Sequence, residues 1–142
     1  KEATITRHTV RKERTASQRI LIVEDNVVNQ QVIRRLVERQ GHAATIVDTG
    51  RKAVEALEGD EFDAVLMDIQ MPEMDGLEAT AEIRRREKMN GKHHTIIAMT
   101  AHAMTGDRER CLHAGMDDYL SKPIGLAQLS AALNRSQAVL SR

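Results

Sequence analysis

Short apolar runs and helix-period stretches alternate from residue 20 to the end of the chain. Ile20 to Val23 has the continuous apolar character of a buried strand, and Val28, Val32, Ile33, Leu36 and Val37 then recur at the spacing of one helix face until Gly41 stops it. Ala43 to Val47 predicts a second strand, and Ala53, Val54 and Leu57 predict a shorter helix ahead of Gly59-Asp60. The third run, Ala64 to Met67, ends in Asp68; Pro72 and Gly76 then turn the chain into a helix striped by Leu77, Thr80 and Ile83, which dissolves at Asn90-Gly91. A fourth strand covers Thr95 to Met99. Thr105 is placed to cap a short helix that Gly115 ends, and Tyr119-Leu120 forms a brief fifth strand before Lys122-Pro123. The last helix carries Leu126, Leu129, Leu133 and Leu140 on one side.

Strand runs separated by helical stretches define the class as α/β. Parallel neighbours need crossovers, crossovers are right-handed, and the helices they carry must cover the sheet. The prediction is therefore a doubly wound, five-stranded parallel sheet between two helix layers. The order 2-1-3-4-5, the flavodoxin-like three-layer arrangement, is the commonest choice. It places strands one and three together at the switch point, where ligands bind beyond the carboxyl ends of the strands. Residues 1–18 are polar and basic without an apolar period and read as a linker or N-terminal arm, leaving residues 19–142 as the domain.

Composition removes several partner classes. At 142 residues there is room for one domain with a real core. Twenty-one basic and twenty-one acidic residues cancel, so no net field recruits nucleic acid or an anionic membrane. No apolar run reaches the length of a membrane span. The single cysteine, Cys111, has no partner for an internal disulfide, which predicts a reducing, cytoplasmic setting. Lys1 stands where an initiator methionine would, so a piece of a longer protein is expected.

The strand ends carry the chemistry. Strand one finishes in Glu24-Asp25, just before Asn26 opens the first helix, and in the expected order these acids lie one strand spacing, about 4.8 Å, from Asp68. Like charges that close repel by about 4 kcal/mol per pair at ~4 Å and an effective dielectric near 20, so a cation belongs among them. A hard divalent ion such as Mg²⁺ suits an all-oxygen site and retains coordination positions for phosphate oxygens. The competing reading is that Glu24 and Asp25 only cap the helix, whose N-terminus favours anions. Strand four ends in Thr100 and strand five in Lys122. The lysine is two spacings, about 10 Å, from strand three and has the length to reach across. A carboxylate nucleophile, a divalent metal, a hydroxyl and a lysine are the parts for moving a phosphoryl group onto aspartate. Taken singly, Thr100 reads equally as a cap and Lys122 as a surface charge. His93-His94 reads as solvated loop, His102 and His113 show no partner, and Met71, Met74, Met99, Met104 and Met116 are either pliable partner surface or gap filling.

From Arg19 to about Leu140 the chain resembles a receiver (response regulator) domain of two-component signalling. The resemblance lies in Ile-Leu-Ile-Val-Glu24-Asp25-Asn, Leu-Met-Asp68-Ile-Gln-Met-Pro-Glu-Met-Asp-Gly, Met-Thr100-Ala-His-Ala-Met and Tyr119-Leu-Ser-Lys122-Pro-Ile, in family order. It implies that Asp68 is the phosphoacceptor, that Glu24 and Asp25 hold Mg²⁺ with Asp68, and that Gln70 adds its backbone carbonyl. It further implies that Thr100 and Lys122 receive the phosphoryl oxygens, that Lys122-Pro123 is cis, and that Tyr119 is the switch aromatic, moving inward as Thr100 moves toward the phosphoryl group. Gln70 and His102 fall where the family tunes phosphoryl lifetime. Glu24 stands where aspartate is commoner, one methylene longer.

The resemblance implies a phosphoryl-accepting signalling domain of a phosphorelay. It would take phosphate from a phosphohistidine on a histidine kinase or a histidine phosphotransfer domain, and its own chemistry would be limited to self-phosphorylation and autodephosphorylation. The basic lead-in resembles the linker before the receiver of a hybrid histidine kinase. With no output domain after the last helix, a free-standing single-domain response regulator is the alternative. An aspartate-nucleophile phosphatase would need an acid where Gln70 stands, and a flavin module would need stacking aromatics, which make up 1% of the chain.

Overall fold

A computed structural model of the chain describes residues 17–71, 73–101 and 106–140, with side chains through Ser136. The lead-in before Ser17, together with Pro72, His102, Met104, Thr105 and the Leu140 side chain, lies outside the described residues. In chain order the elements are β1 (Arg19–Val23), α1 (Val27–Arg39), β2 (Ala43–Val47), α2 (Gly50–Gly59), β3 (Ala64–Asp68), α3 (Gly76–Asn90), β4 (Ile96–Thr100), α4 (Asp107–Ala114), β5 (Asp118–Ser121) and α5 (Leu126–Leu140). The strands form one parallel sheet in the order β2-β1-β3-β4-β5. This is the expected 2-1-3-4-5 arrangement, with β1 beside β3 at the switch point.

Because successive strand residues point to opposite faces, the apolar runs divide into two cores. Leu21, Val23, Val65, Met67, Ile96 and Ala98 pack on one face with Ala53, Val54, Leu57, Ala79, Ile83 and Cys111 of α2, α3 and α4. Ile20, Ile22, Leu66, Ile97 and Met99 pack on the other with Ile33 and Val37 of α1 and Leu129, Ala132 and Leu133 of α5. Truncating one such residue, for example Leu66→Ala, costs about 2–5 kcal/mol in a core of this kind. No helix among the described residues is long and apolar enough to cross a membrane.

The helix ends follow their sequences closely. Asn26 caps α1 by accepting the Asn29 N–H, and Thr49 caps α2 by accepting that of Lys52. Asp75 and Glu78 bond reciprocally at the start of α3, and Gly91 ends that helix in the left-handed conformation, φ 74°. Helix α4 begins without a side-chain cap. The N-cap position is Gly106, which offers no side chain, and Glu109 accepts the Gly106 N–H at 3.2 Å; the cap expected of Thr105 lies outside the described residues.

Helix α1 departs from its predicted stripe. Ile33 and Val37 are buried, but Val28 and Val32 are 69% and 47% exposed, and Val27 is exposed beside them. At about 100° per residue the five predicted positions spread over half the helix circumference, more than one sheet can cover. At the N-terminal side, Gln18 is already part of the packed domain. Its N–H donates to His42 Nδ1 at 3.0 Å, and its carbonyl accepts from Ala43 at 2.9 Å.

Candidate functional site

Glu24 and Asp68 end neighbouring strands at the switch point, and both are almost fully enclosed, at 1% and 3% exposure. Asn26, not the acids, supplies the side-chain cap of α1, but Glu24 is braced by the same turn. Its Oε2 accepts the Asn26 N–H at 3.2 Å and the Asn29 amide at 3.5 Å, and the Gln30 amide donates to its carbonyl at 2.7 Å. Asp25 is exposed at the mouth. Asp68 Oδ1 accepts the Gln70 N–H at 3.0 Å. The turn after Asp68 closes tightly because Gly76 lacks a side chain: a Cβ there would meet Ile69 Cα at 2.7 Å and the Asp68 carbonyl closer still.

Lys122 reaches this pair from the far side of the sheet. Its backbone is tied to β4 by an N–H donated to the Thr100 carbonyl at 2.7 Å, and the Lys122-Pro123 peptide is cis. Its ammonium stands 3.1 Å from Glu24 Oε1 and 3.2 Å from Asp68 Oδ2. Burial alone would push this ammonium down, but the hydrogen bond to Glu24 and the charges of Asp68 and Glu24 outweigh it, and the group is held above its ordinary value. Glu24, Asp25 and Asp68 each present a carboxylate oxygen, and these lie within 4.8 Å of one another. Among the described residues one ammonium is in contact with this group, which leaves two negative charges uncompensated. An all-oxygen donor set with that charge fits Mg²⁺.

The remaining residues named from the sequence sit around this centre with partners of their own. Thr100 ends β4, 1% exposed, and its hydroxyl donates to Asp107 Oδ2 at 2.8 Å, a partner that sequence reasoning missed. Tyr119 is half-buried, with the Arg108 guanidinium 5.9 Å from its ring centroid. Met71, Met99 and Met116 are buried and fill the core, which decides against partner surface for those three.

The solvated-loop expectation for His93-His94 does not hold for His94. It is buried at the opposite edge of the sheet, with its N–H and Nδ1 at 2.7 and 2.8 Å from Glu87 Oε2. Arg84 joins that cluster, donating to Glu87, to the carbonyls of His94 and Gly115, and to Asp117, all within 2.8 Å. His93, on the surface, pairs with Asp117 at 3.0 Å.

Fold and edge together define a class: a doubly wound α/β domain whose switch point holds enclosed acids bridged by a lysine, with an oxygen-only cation site beside them. This is the architecture of signalling receiver domains. The chain belongs to the response regulator receiver domain family, whose family model matches residues 20–134. It is 43% identical over 122 residues to hybrid signal transduction histidine kinase I of Dictyostelium discoideum, a match covering 82% of this chain and 7% of that protein. The chain thus spans a small fraction of this curated relative's length. The receiver domain of sensor histidine kinase PA1611 from Pseudomonas aeruginosa, in a crystal structure with a magnesium ion coordinated in its active-site cleft, is 48% identical. It matches with a TM-score of 0.78 over 86% of this chain and 98% of that one. A second structural match is the co-crystal of the Saccharomyces cerevisiae histidine phosphotransfer protein Ypd1 with the receiver domain of its downstream response regulator Ssk1. It has 30% identity and a TM-score of 0.81, and covers 89% of this chain and 92% of that one.

Proposed function

We propose that this domain, residues 19–142 with a basic lead-in before it, accepts a phosphoryl group on Asp68 from a phosphohistidine within a phosphorelay. The observation that carries the reading is the Lys122 ammonium lodged between Asp68 Oδ2 and Glu24 Oε1 at the switch-point edge. An Asp68 oxygen attacks phosphorus in line with the departing imidazole nitrogen. The N–P bond breaks as the O–P bond forms, and the product is an acyl phosphate. Lys122 and Thr100 take phosphoryl oxygens. Glu24, Asp25, Asp68 and the Gln70 carbonyl would hold Mg²⁺, which when bound would neutralise charge on the transferring group. The chemistry of the domain itself ends with hydrolysis of its own acyl phosphate, so it turns over no separate substrate.

The domain is read as a cytoplasmic part of a hybrid histidine kinase, because hybrid signal transduction histidine kinase I, which it resembles, is such a kinase and the match takes in only 7% of that protein's length. A histidine phosphotransfer domain is the partner, and α1 offers it a surface. Val27, Val28 and Val32 are exposed on the helix that begins three residues after Glu24. The test is phosphoryl transfer from a phosphorylated histidine phosphotransfer domain. Label should move to this chain and not to Asp68→Asn. Val28→Asp should slow that transfer about tenfold while leaving labelling by a small phosphodonor unchanged. Transfer to Asp68→Asn at the normal rate would refute the acceptor, and unaltered transfer to Val28→Asp would move the docking surface off α1.

A further inference from the structure

We infer that Asp107 is a positioning residue for the phosphorylated state: it holds the Thr100 hydroxyl proton that the phosphoryl group must take over, and so sets the threshold at which the domain switches. This rests on the reading of Thr100 as a phosphoryl-oxygen ligand. Thr100 Oγ1 donates to Asp107 Oδ2 at 2.8 Å, and both residues are well enclosed, with 1% of Thr100 and 14% of the Asp107 side chain exposed. A hydroxyl has a single proton to donate. Asp107 and an oxygen on phosphorylated Asp68 are both anionic acceptors, so they compete for that proton on similar terms.

Asp107 is also well anchored as a competitor. It is the first residue of α4, where the helix N-terminus favours a carboxylate, and its other oxygen accepts from Arg110 at 3.2 Å. The next residue, Arg108, lies over the Tyr119 ring at 5.9 Å. The first turn of α4 therefore touches both residues placed at the switch positions. When the phosphoryl group captures the Thr100 proton, Asp107 keeps Arg110 but loses its tie to β4, and the same turn that carries Arg108 loses that anchor. The competition for one proton is thereby passed to Tyr119 and to the surface formed by β4, α4 and β5.

The test is a double-mutant cycle on the affinity for beryllofluoride in the presence of Mg²⁺, followed by calorimetric titration of the folded domain. Asp107→Ala should tighten binding about tenfold, the size of one hydrogen bond to an ionised acceptor. Asp107→Asn, whose neutral oxygen is a weaker competitor, should tighten it about threefold. It carries the test by itself should the alanine variant not fold. Thr100→Ala should weaken binding, and in that background the Asp107 substitutions should change affinity by less than about twofold, because no shared proton remains. A general loss of negative charge near the site would tighten binding equally in both backgrounds, and that result would overturn the inference. So would unchanged affinity in Asp107→Ala or Asp107→Asn. If instead Thr100→Ala binds as well as the parent, the role given to Thr100 under the proposed function fails first.

Discussion

At the scale of single residues, Lys122 carries the electrostatic balance of the acidic edge. Glu24 and Asp68 are nearly sealed from water, and their common cation is that ammonium at 3.1 and 3.2 Å. Removing one member of an enclosed ion group leaves uncompensated charge, which is more damaging than never having built it. Lys122→Ala should therefore lose about 3 kcal/mol of stability in urea denaturation without Mg²⁺, and saturating Mg²⁺ should return part of that loss. A variant as stable as the parent would mean that the lysine does not balance the pair. Asp68 and Lys122 were legible in the sequence because each sits where a strand run stops, and strand ends of a parallel sheet share one edge. Asp107 was not. Its tie to Thr100 crosses a connection between β4 and α4 that has no hydrophobic period, so nothing in the spacing marks the two as partners.

At the scale of elements, the less legible features are those set by packing between helices and loops. The apolar stripe of α1 predicted the helix correctly, but periodicity does not say which half of a wide stripe meets the sheet. Val28 and Val32 turned out to face away from it. At the far edge, the C-terminal part of α3 is tied to the loop before β4 by Glu87, which is buried with Arg84 and His94. Burial alone would push the Glu87 carboxyl up. The His94 N–H, the Arg84 hydrogen bond and the His94 ring outweigh it and hold it below its ordinary 4.5. A carboxyl lowered by folding contributes stability that is complete above the unfolded value and is lost as pH falls through the folded one. Glu87→Gln should thus be destabilised by about 3 kcal/mol at neutral pH. The gap to the parent should close as pH drops below 4.5, as measured by denaturation at a series of pH values. A gap independent of pH would assign the loss to packing instead of charge.

At the scale of the whole molecule, the strand order followed from general constraints acting on a readable pattern. Right-handed crossovers and two-sided coverage leave few ways to arrange five such runs, and the sheet adopts the expected one. That order brings Glu24, Asp25, Asp68, Thr100 and Lys122 to one edge, while Arg84, Glu87, His94 and Asp117 fasten the other. The base is thus tied by ion pairs and the working edge is acidic, and the central claim is that this edge exists to receive a phosphoryl group on Asp68. Intact-mass measurement after incubation with acetyl phosphate and Mg²⁺ tests that claim most directly. One phosphoryl group should be gained, and none by Asp68→Asn, whose amide is not a competent nucleophile, nor by the parent in a chelator. Equal labelling of the parent and Asp68→Asn would contradict the account.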